Sequence, residues 1–237
     1  MSDTFQEPLC STCSARLQSV IDGLEGDQLS GIETSKKCGC YRKGESIFEE
    51  NAPSEGVFCL HSGKVKVFKT GNEGKPHIVR FAKPGTLLGY RSLLSGEPYT
   101  VSATALDESI ICHIPKDTFI AALEKDARFA LRFMEMMSSD LDRAEAQIVH
   151  LAQKPVRERL AEALLVLKNI YGTENGDNSP LDVTLTREEL AGVVGTAIET
   201  LVRTLSDLKQ EGLIATDKKK ICILDMEGLI RVSNLQD

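Results

Sequence analysis

The sequence predicts an α+β chain: a strand-rich N-terminal part of sandwich, barrel or jelly-roll type, then a long helix, then a C-terminal helix-turn-helix with a wing. Three observations carry this prediction. Between about residues 38 and 114, glycines at 44, 56, 63, 71, 74, 85, 89 and 96 separate short apolar runs, the texture of many short strands joined by turns. Pro115 then opens a stretch to residue 152 that holds few helix breakers. Further on, two helical patterns stand on either side of Gly195, the layout of a helix-turn-helix.

Residues 1–30 carry Cys10 and Cys13 in C-x2-C spacing, followed by Leu17, Val20, Ile21 and Leu24, an amphipathic stretch that reads as a short helix. Residues 31–115 form the strand-rich part. Lys64-Val65-Lys66-Val67 alternates with period two, and Ile78-Val79-Arg80-Phe81 and Ser109-Ile110-Ile111-Cys112 are rich in β-formers. Residues 116–152 read as one helix. On it Met134, Met137, Leu141, Ala144, Ile148 and Leu151 follow 3, 4, 3, 4, 3 spacing, an a/d seam. Such a seam packs on its own domain or on a second copy of the helix. The charged flanks Asp140, Asp142, Arg143 and Glu145 favour the homodimer.

Residues 153–237 hold a helix over 156–171, a polar loop at 172–180 and a short strand at Val183-Thr184-Leu185. Thr186-Arg187-Glu188-Glu189 has the form of a capping box. After Gly195 a second helix is expected from about Ala197 to Glu211, burying Ile198, Leu201, Leu205 and Leu208. Glu199, Val202, Arg203 and Ser206 fall on its other face, and Gly212 stops it. Two strands around Asp217-Lys218-Lys219 complete a wing with a basic tip.

Composition excludes several classes. With 237 residues, 41% hydrophobic and 27% charged, the chain is globular. Its net charge of −7 argues against coating nucleic acid without sequence preference. No apolar run reaches the roughly 18–20 residues needed for a membrane span. The N-terminus lacks a basic start and an apolar core, so no secretory signal is expected. A cytoplasmic protein is expected, in which seven cysteines, an odd number, point to metal or redox chemistry more than to structural disulfides.

The exposed face of the second helix suits the major groove of double-stranded DNA. Arg203 has the fork to take guanine O6 and N7, and Glu199 can accept from cytosine N4. Lys218 and Lys219 on the wing suit phosphates. Read alone, Glu199 and Arg203 also fit an ordinary surface ion pair at i, i+4.

Over almost its full length the chain resembles the Crp/Fnr superfamily of bacterial transcription regulators. The resemblance rests on Gly63-Lys64-Val65-Lys66-Val67, Lys83-Pro84-Gly85-Thr86-Leu87-Leu88-Gly89, Cys112-His113-Ile114-Pro115, Lys154-Pro155-Val156-Arg157-Glu158-Arg159-Leu160-Ala161 and Glu199-Thr200-Leu201-Val202-Arg203. It implies a cyclic-nucleotide-binding-like β-roll, a long dimerisation helix and a winged helix-turn-helix. It also implies palindromic operators with a TGA core, and RNA polymerase as a partner. Two residues depart from the pattern. Ala197 stands at a usual helix cap, leaving Thr196 to cap, and Val202 precedes the arginine, offering a thymine methyl an apolar contact.

In the cyclic-AMP-binding members a glutamate and an Arg-Ser pair hold the nucleotide. Here Tyr90 and Tyr99-Thr100 stand in their place, so that ligand is not expected. The resemblance to the iron–sulfur members implies a [4Fe–4S] cluster on Cys10, Cys13 and Cys112, with Cys38 as the fourth ligand and Cys40 in reserve. Thiolates are the usual cluster ligands. Cys59 reads as a buried strand residue and Cys222 as structural. The cysteines also admit a zinc site, a thiol–disulfide switch (Cys10 with Cys13, or Cys38 with Cys40) or incidental thiols. His77 and His113 leave haem open, and a small ligand in the roll or a thiol oxidoreductase are further alternatives.

Overall fold

A computed structural model describes residues 7–71, 74, 76–172, 181 and 183–234. Beyond Gly172, the polar loop expected at 172–180 lies outside the described residues. The chain forms two compact units. One gathers the residues up to Lys69 with Phe81–Leu141, and the other gathers Thr70–Arg80 with the residues from Asp142 onward.

In the first unit, 3-10 turns at Cys10–Thr12 and Arg16–Gln18 precede helix α1 (Gly26–Ser35). The short helix therefore begins after the amphipathic stretch rather than on it. The Ser19 hydroxyl accepts the Ile21 N–H, giving the backbone a local alternative to a helical ladder. Ile21 and Leu24 are still buried, while Leu17 is exposed.

The roll follows with β1 (Lys37–Tyr41), β2 (Ser46–Phe48), β3 (Gly56–Ser62), β4 (Val65–Thr70), β5 (Pro76–Ala82), β6 (Leu87–Leu88), helix α2 (Tyr90–Ser95), β7 (Ser102–Ala105) and β8 (Ser109–Pro115). Two four-stranded sheets form, ordered β1-β8-β3-β6 and β2-β7-β4-β5. The first and last strands of the roll pair antiparallel, with Cys38 opposite Cys112. Tyr99 stacks on Phe48 at 4.3 Å between ring centroids.

The helix expected over 116–152 is two helices, α3 (Lys116–Lys125) and α4 (Ala127–Gln153). Asp126 divides them: its carboxylate accepts the N–H groups of Arg128 and Phe129 and so starts a new helix. Phe119, Phe129 and Phe133 meet edge to face in a core that also holds Leu24, Ile32, Leu87, Tyr90 and Ile114. The Tyr90 hydroxyl donates to the buried Asp140 carboxylate, and Arg91 Nη2 lies 3.3 Å from it.

In the second unit, α5 (Val156–Tyr171), α6 (Arg187–Val194) and α7 (Ile198–Gln210) precede the hairpin of β9 (Ile214–Asp217) and β10 (Lys220–Ile223), and α8 (Met226–Ser233) ends it. Val183-Thr184-Leu185 is not a strand. Leu181 donates to the Ile221 carbonyl, but no ladder continues from that bond among the described residues. Helix α8 lacked an expectation. Asp225 caps it through the Gly228 N–H, and it packs on α5. Among the described residues no helix is long and apolar enough to cross a membrane.

Candidate functional site

Two sites emerge, one in each unit. In the second, the capping box forms in full: Thr186 Oγ1 accepts the Glu189 N–H, and Glu189 accepts the Thr186 N–H. Helix α6 ends at Gly195, whose φ of +67° is left-handed, a conformation costly for any residue with a Cβ. A Cβ there would also lie 2.7 Å from Leu151 Cδ2. The Arg159 guanidinium sits beside this turn and donates to four carbonyls, those of Val194, Gly195, Leu151 and Lys154.

Helix α7 begins at Ala197 with no side-chain cap. Thr196 does not cap it: the cap position falls on Ala197, and Thr196 stands one residue before it, its backbone N–H donating to the Ala191 carbonyl. The first-turn N–H groups of α7 thus lack a side-chain partner, an arrangement suited to a phosphate. The buried face consists of Leu201, Thr204, Leu205 and Leu208. Ile198, expected on that face, is 43% exposed, since it is the first residue of the helix and the packed face begins three residues later at Leu201. Glu199, Val202, Arg203 and Ser206 are all exposed on one side. Lys218 and Lys219 form the exposed hairpin turn, with Lys218 at φ +52°. Arg187 Nη2 donates to the Lys218 carbonyl at 3.3 Å, tying the start of α6 to the wing.

Along α4, Met134, Met137, Leu141, Ile148 and Leu151 are exposed apolar residues, and Ala144 among them is half-buried. In each unit the expected seam residues of α4 are thus apolar, and all but Ala144 are exposed.

In the first unit, sulfur atoms gather around a small cleft. Cys10, Cys13, Cys59, Cys112 and His61 line it together with Arg16 and Lys36. The 3-10 segment that brings in Cys10 and Cys13 packs close on the roll at Gly85 (φ +90°), where a Cβ would come within 2.6 Å of the Ala15 carbonyl oxygen. Cys13 Sγ lies 3.1 Å from His61 Nδ1. Cys59 is opposite Cys112 across β3 and β8, so Cys38, Cys112 and Cys59 form one row over three strands. Burial pushes the Cys59 thiol up to about 12, with the nearby Cys13 and Cys10 adding to it. Burial also raises Cys10, against the pull of Lys36. His61 is lowered by burial and then by Lys36.

Of the expected ligands, the structure brings Cys10, Cys13 and Cys112 to one cleft. Cys38 and Cys112, expected as two free thiolates, are joined in a disulfide, because the β1–β8 register sets them face to face with Cα atoms 3.9 Å apart. The reserve candidate Cys40 pairs with Ile110 and is exposed, away from the cleft. No three His, Cys, Asp or Glu side chains among the described residues are gathered in metal-binding geometry. The donor set nonetheless fits an iron–sulfur group. The sulfurs are soft donors, and the cleft carries two cations, Arg16 and Lys36. Among the described residues Arg16 Nε is buried without a hydrogen-bond partner, as a neighbour of an anionic occupant would be in its absence. Sequence reasoning missed Cys59, His61, Arg16 and Lys36. The only signal was the two-residue spacing of Cys59 and His61, which puts both on one face of a strand.

Comparisons with known proteins agree with both units. Residues 40–126 match the cyclic nucleotide-binding domain family, and residues 158–232 match the Crp-like helix-turn-helix domain. The chain is 28% identical over 223 residues to the transcriptional activator protein anr of Pseudomonas aeruginosa, covering 94% of this chain and 88% of that one. It is 25% identical over 212 residues to a CRP-like cAMP-activated global transcriptional regulator of Mycobacterium tuberculosis, covering 90% and 95%. The solved structure of FixK2 from Bradyrhizobium japonicum superposes with a TM-score of 0.75 at 24% identity, covering 85% of this chain and 99% of that one.

Proposed function

The chain belongs to the Crp/Fnr family of transcription regulators, and from that premise we propose that it binds a palindromic DNA site as a homodimer, under control of an iron–sulfur cluster of the [4Fe–4S] type held at the cysteine cleft. The observation that carries the sensory half is the meeting of Cys10, Cys13 and Cys112 beside Arg16 and Lys36. Bound there, such a cluster supplies a redox-labile cross-link between the N-terminal segment and the roll. The chain's own residues do the rest. Cys10 and Cys13 tether the segment, Gly85 admits it, and the two cations offset thiolate charge.

For the DNA-binding half, Arg203 takes guanine O6 and N7, Glu199 accepts from cytosine N4, and Val202 meets a thymine methyl. Thr196, Ser206, Lys218 and Lys219 serve the backbone and the groove edge. The palindrome has a TGA core, and RNA polymerase is the partner once DNA is bound. A second copy covers Met134, Met137, Leu141, Ala144, Ile148 and Leu151, knobs-into-holes along α4. A second reading, sensing by thiol oxidation alone, is favoured by the Cys38–Cys112 disulfide.

Anaerobic purification followed by visible absorption and iron and sulfide analysis separates the two readings. A colourless, iron-free protein whose DNA affinity follows added reductant supports the second. On a TGA palindrome, Arg203→Ala is expected to cost about 1–3 kcal/mol, read by fluorescence anisotropy. An equal loss on random DNA would reduce Arg203 to a phosphate contact.

A further inference from the structure

Cys112 lies in the middle of the cysteine row and has a thiol neighbour on each side. Strand β8 runs between β1 and β3, and Cys112 pairs with Cys38 on one and with Cys59 on the other. Directly opposed residues of an antiparallel pair share a face of the sheet, so the three sulfurs leave the sheet together. The two flanking cysteines are not equivalent. Cys59 lines the cleft with Cys10, Cys13 and Cys112, and Cys38 does not. Cys59 also packs against the core beneath the cleft, as Cys10 does. The Cys38 sulfur is occupied by its bond to Cys112, with Lys36 Nζ 3.7 Å away.

We propose that Cys59 is the fourth sulfur donor beside Cys10, Cys13 and Cys112, and that Cys38 is the thiol that withdraws Cys112 from that set by forming the Cys38–Cys112 disulfide. The assignment rests on the iron–sulfur reading above. A disulfide sulfur carries no thiolate charge and is no longer a thiolate ligand. Ligation by Cys112 and its bond to Cys38 are therefore mutually exclusive, and the row works as an interlock. The oxidising step balances with a peroxide-class oxidant. The Cys38 and Cys112 thiols give up two protons and two electrons, the S–S bond forms, the O–O bond of hydrogen peroxide breaks, and two waters leave. Cys38 is the available partner because it stands on the edge strand β1 and outside the cleft, whereas Cys59 lies on the inner strand β3 and lines the cleft.

The test uses the full-length chain, reduced under argon and supplied with ferrous iron and sulfide, with absorption and bound iron and sulfide as readouts. Wild type and Cys38→Ser are expected to load alike. Cys59→Ser and the shape-conserving Cys59→Val are expected to lose at least the roughly ten-fold in affinity that loss of an outer-shell partner alone costs, with melting curves of the unloaded chain showing that they fold. Full loading of both Cys59 variants, or failure of Cys38→Ser to load, overturns the assignment while leaving the iron–sulfur reading intact. If wild type takes up no iron or sulfide, that reading fails and the assignment falls with it. A variant-free measurement stands beside these. Iodoacetamide on the loaded wild type is expected to label Cys38 and spare Cys112, and a protected Cys38 counts against the assignment. Peroxide treatment of the unloaded chain is expected to give a Cys38–Cys112 cross-link on peptide mapping; a Cys59–Cys112 cross-link overturns the interlock.

Discussion

The recognition element and the cysteine cleft use the chain in opposite ways. Helix α6, its turn and α7 come from one short stretch, and the bonds that start α6 and close its turn span about a turn of helix, Thr186 with Glu189 and Gly195 and Thr196 with Ala191, with the Arg159 clasp added from α5. The cleft draws on the segment from Pro8 to Lys36, on Cys59 and His61, and on Cys112 and Ile114. Its partners are 48 residues apart for Cys13 and His61, and 74 for Cys38 and Cys112. A site made of local contacts keeps its shape as long as its helix does. A site made of distant contacts keeps its shape only while the whole unit around it is folded.

That difference can be broken experimentally, and the largest effect should come from a distant contact. Asp140→Ala removes a buried acceptor of the Tyr90 hydroxyl, 50 residues away in sequence. The first unit is expected to lose about 1–3 kcal/mol in denaturant unfolding, and Asp140→Asn, which still accepts a hydrogen bond, should lose less. Thr186→Ala removes one arm of the capping box and should cost about 1 kcal/mol, confined to the second unit, with weaker DNA binding as its readout. If the two substitutions lowered both units equally, the contrast between distant and local construction would be lost.

The smallest effect belongs to the exposed pair of Arg157 and Glu211, joined by two hydrogen bonds. The hydrogen bond from Arg157 holds the Glu211 carboxyl below its ordinary range. Its contribution is therefore present above the ordinary carboxylate pKa and is lost as pH falls through the lowered one. Wild type should lose a slight increment of stability on acidification through that window, and Glu211→Gln should not. A surface pair of this kind contributes little in any case.

How much was legible follows the same division. The capping box, the Gly195 turn, the exposed quartet on α7 and the basic wing could be read from spacing, because each is a rule about residues near one another in sequence. The family resemblance put Cys38 and Cys112 in one ligand set, but their direct pairing came only from the β1–β8 register. Cys59 did not come through. A thiol in a run of β-formers has the same pattern whether it fills a core or faces a cleft, and only the register of β3 on β8 tells the two apart. The break at Asp126 was missed because an aspartate inside a helical run is read as surface charge, not as a cap. Ile198 was misplaced because periodicity assigns a face to every turn, including the first, which has nothing to pack on.

Arg159 has a consequence of a different kind. It ties the end of α4 to the turn before α7 through four carbonyl oxygens, and carbonyls are common to every residue. The side chains at Leu151, Lys154 and Val194 can therefore drift over evolutionary time without loosening the clasp, whereas position 159 cannot. Lysine, with three donors on one flexible point, has no means of serving four acceptors at once, while the flat guanidinium has five donors in a fixed fork. The heritable information for this joint is concentrated in a single codon.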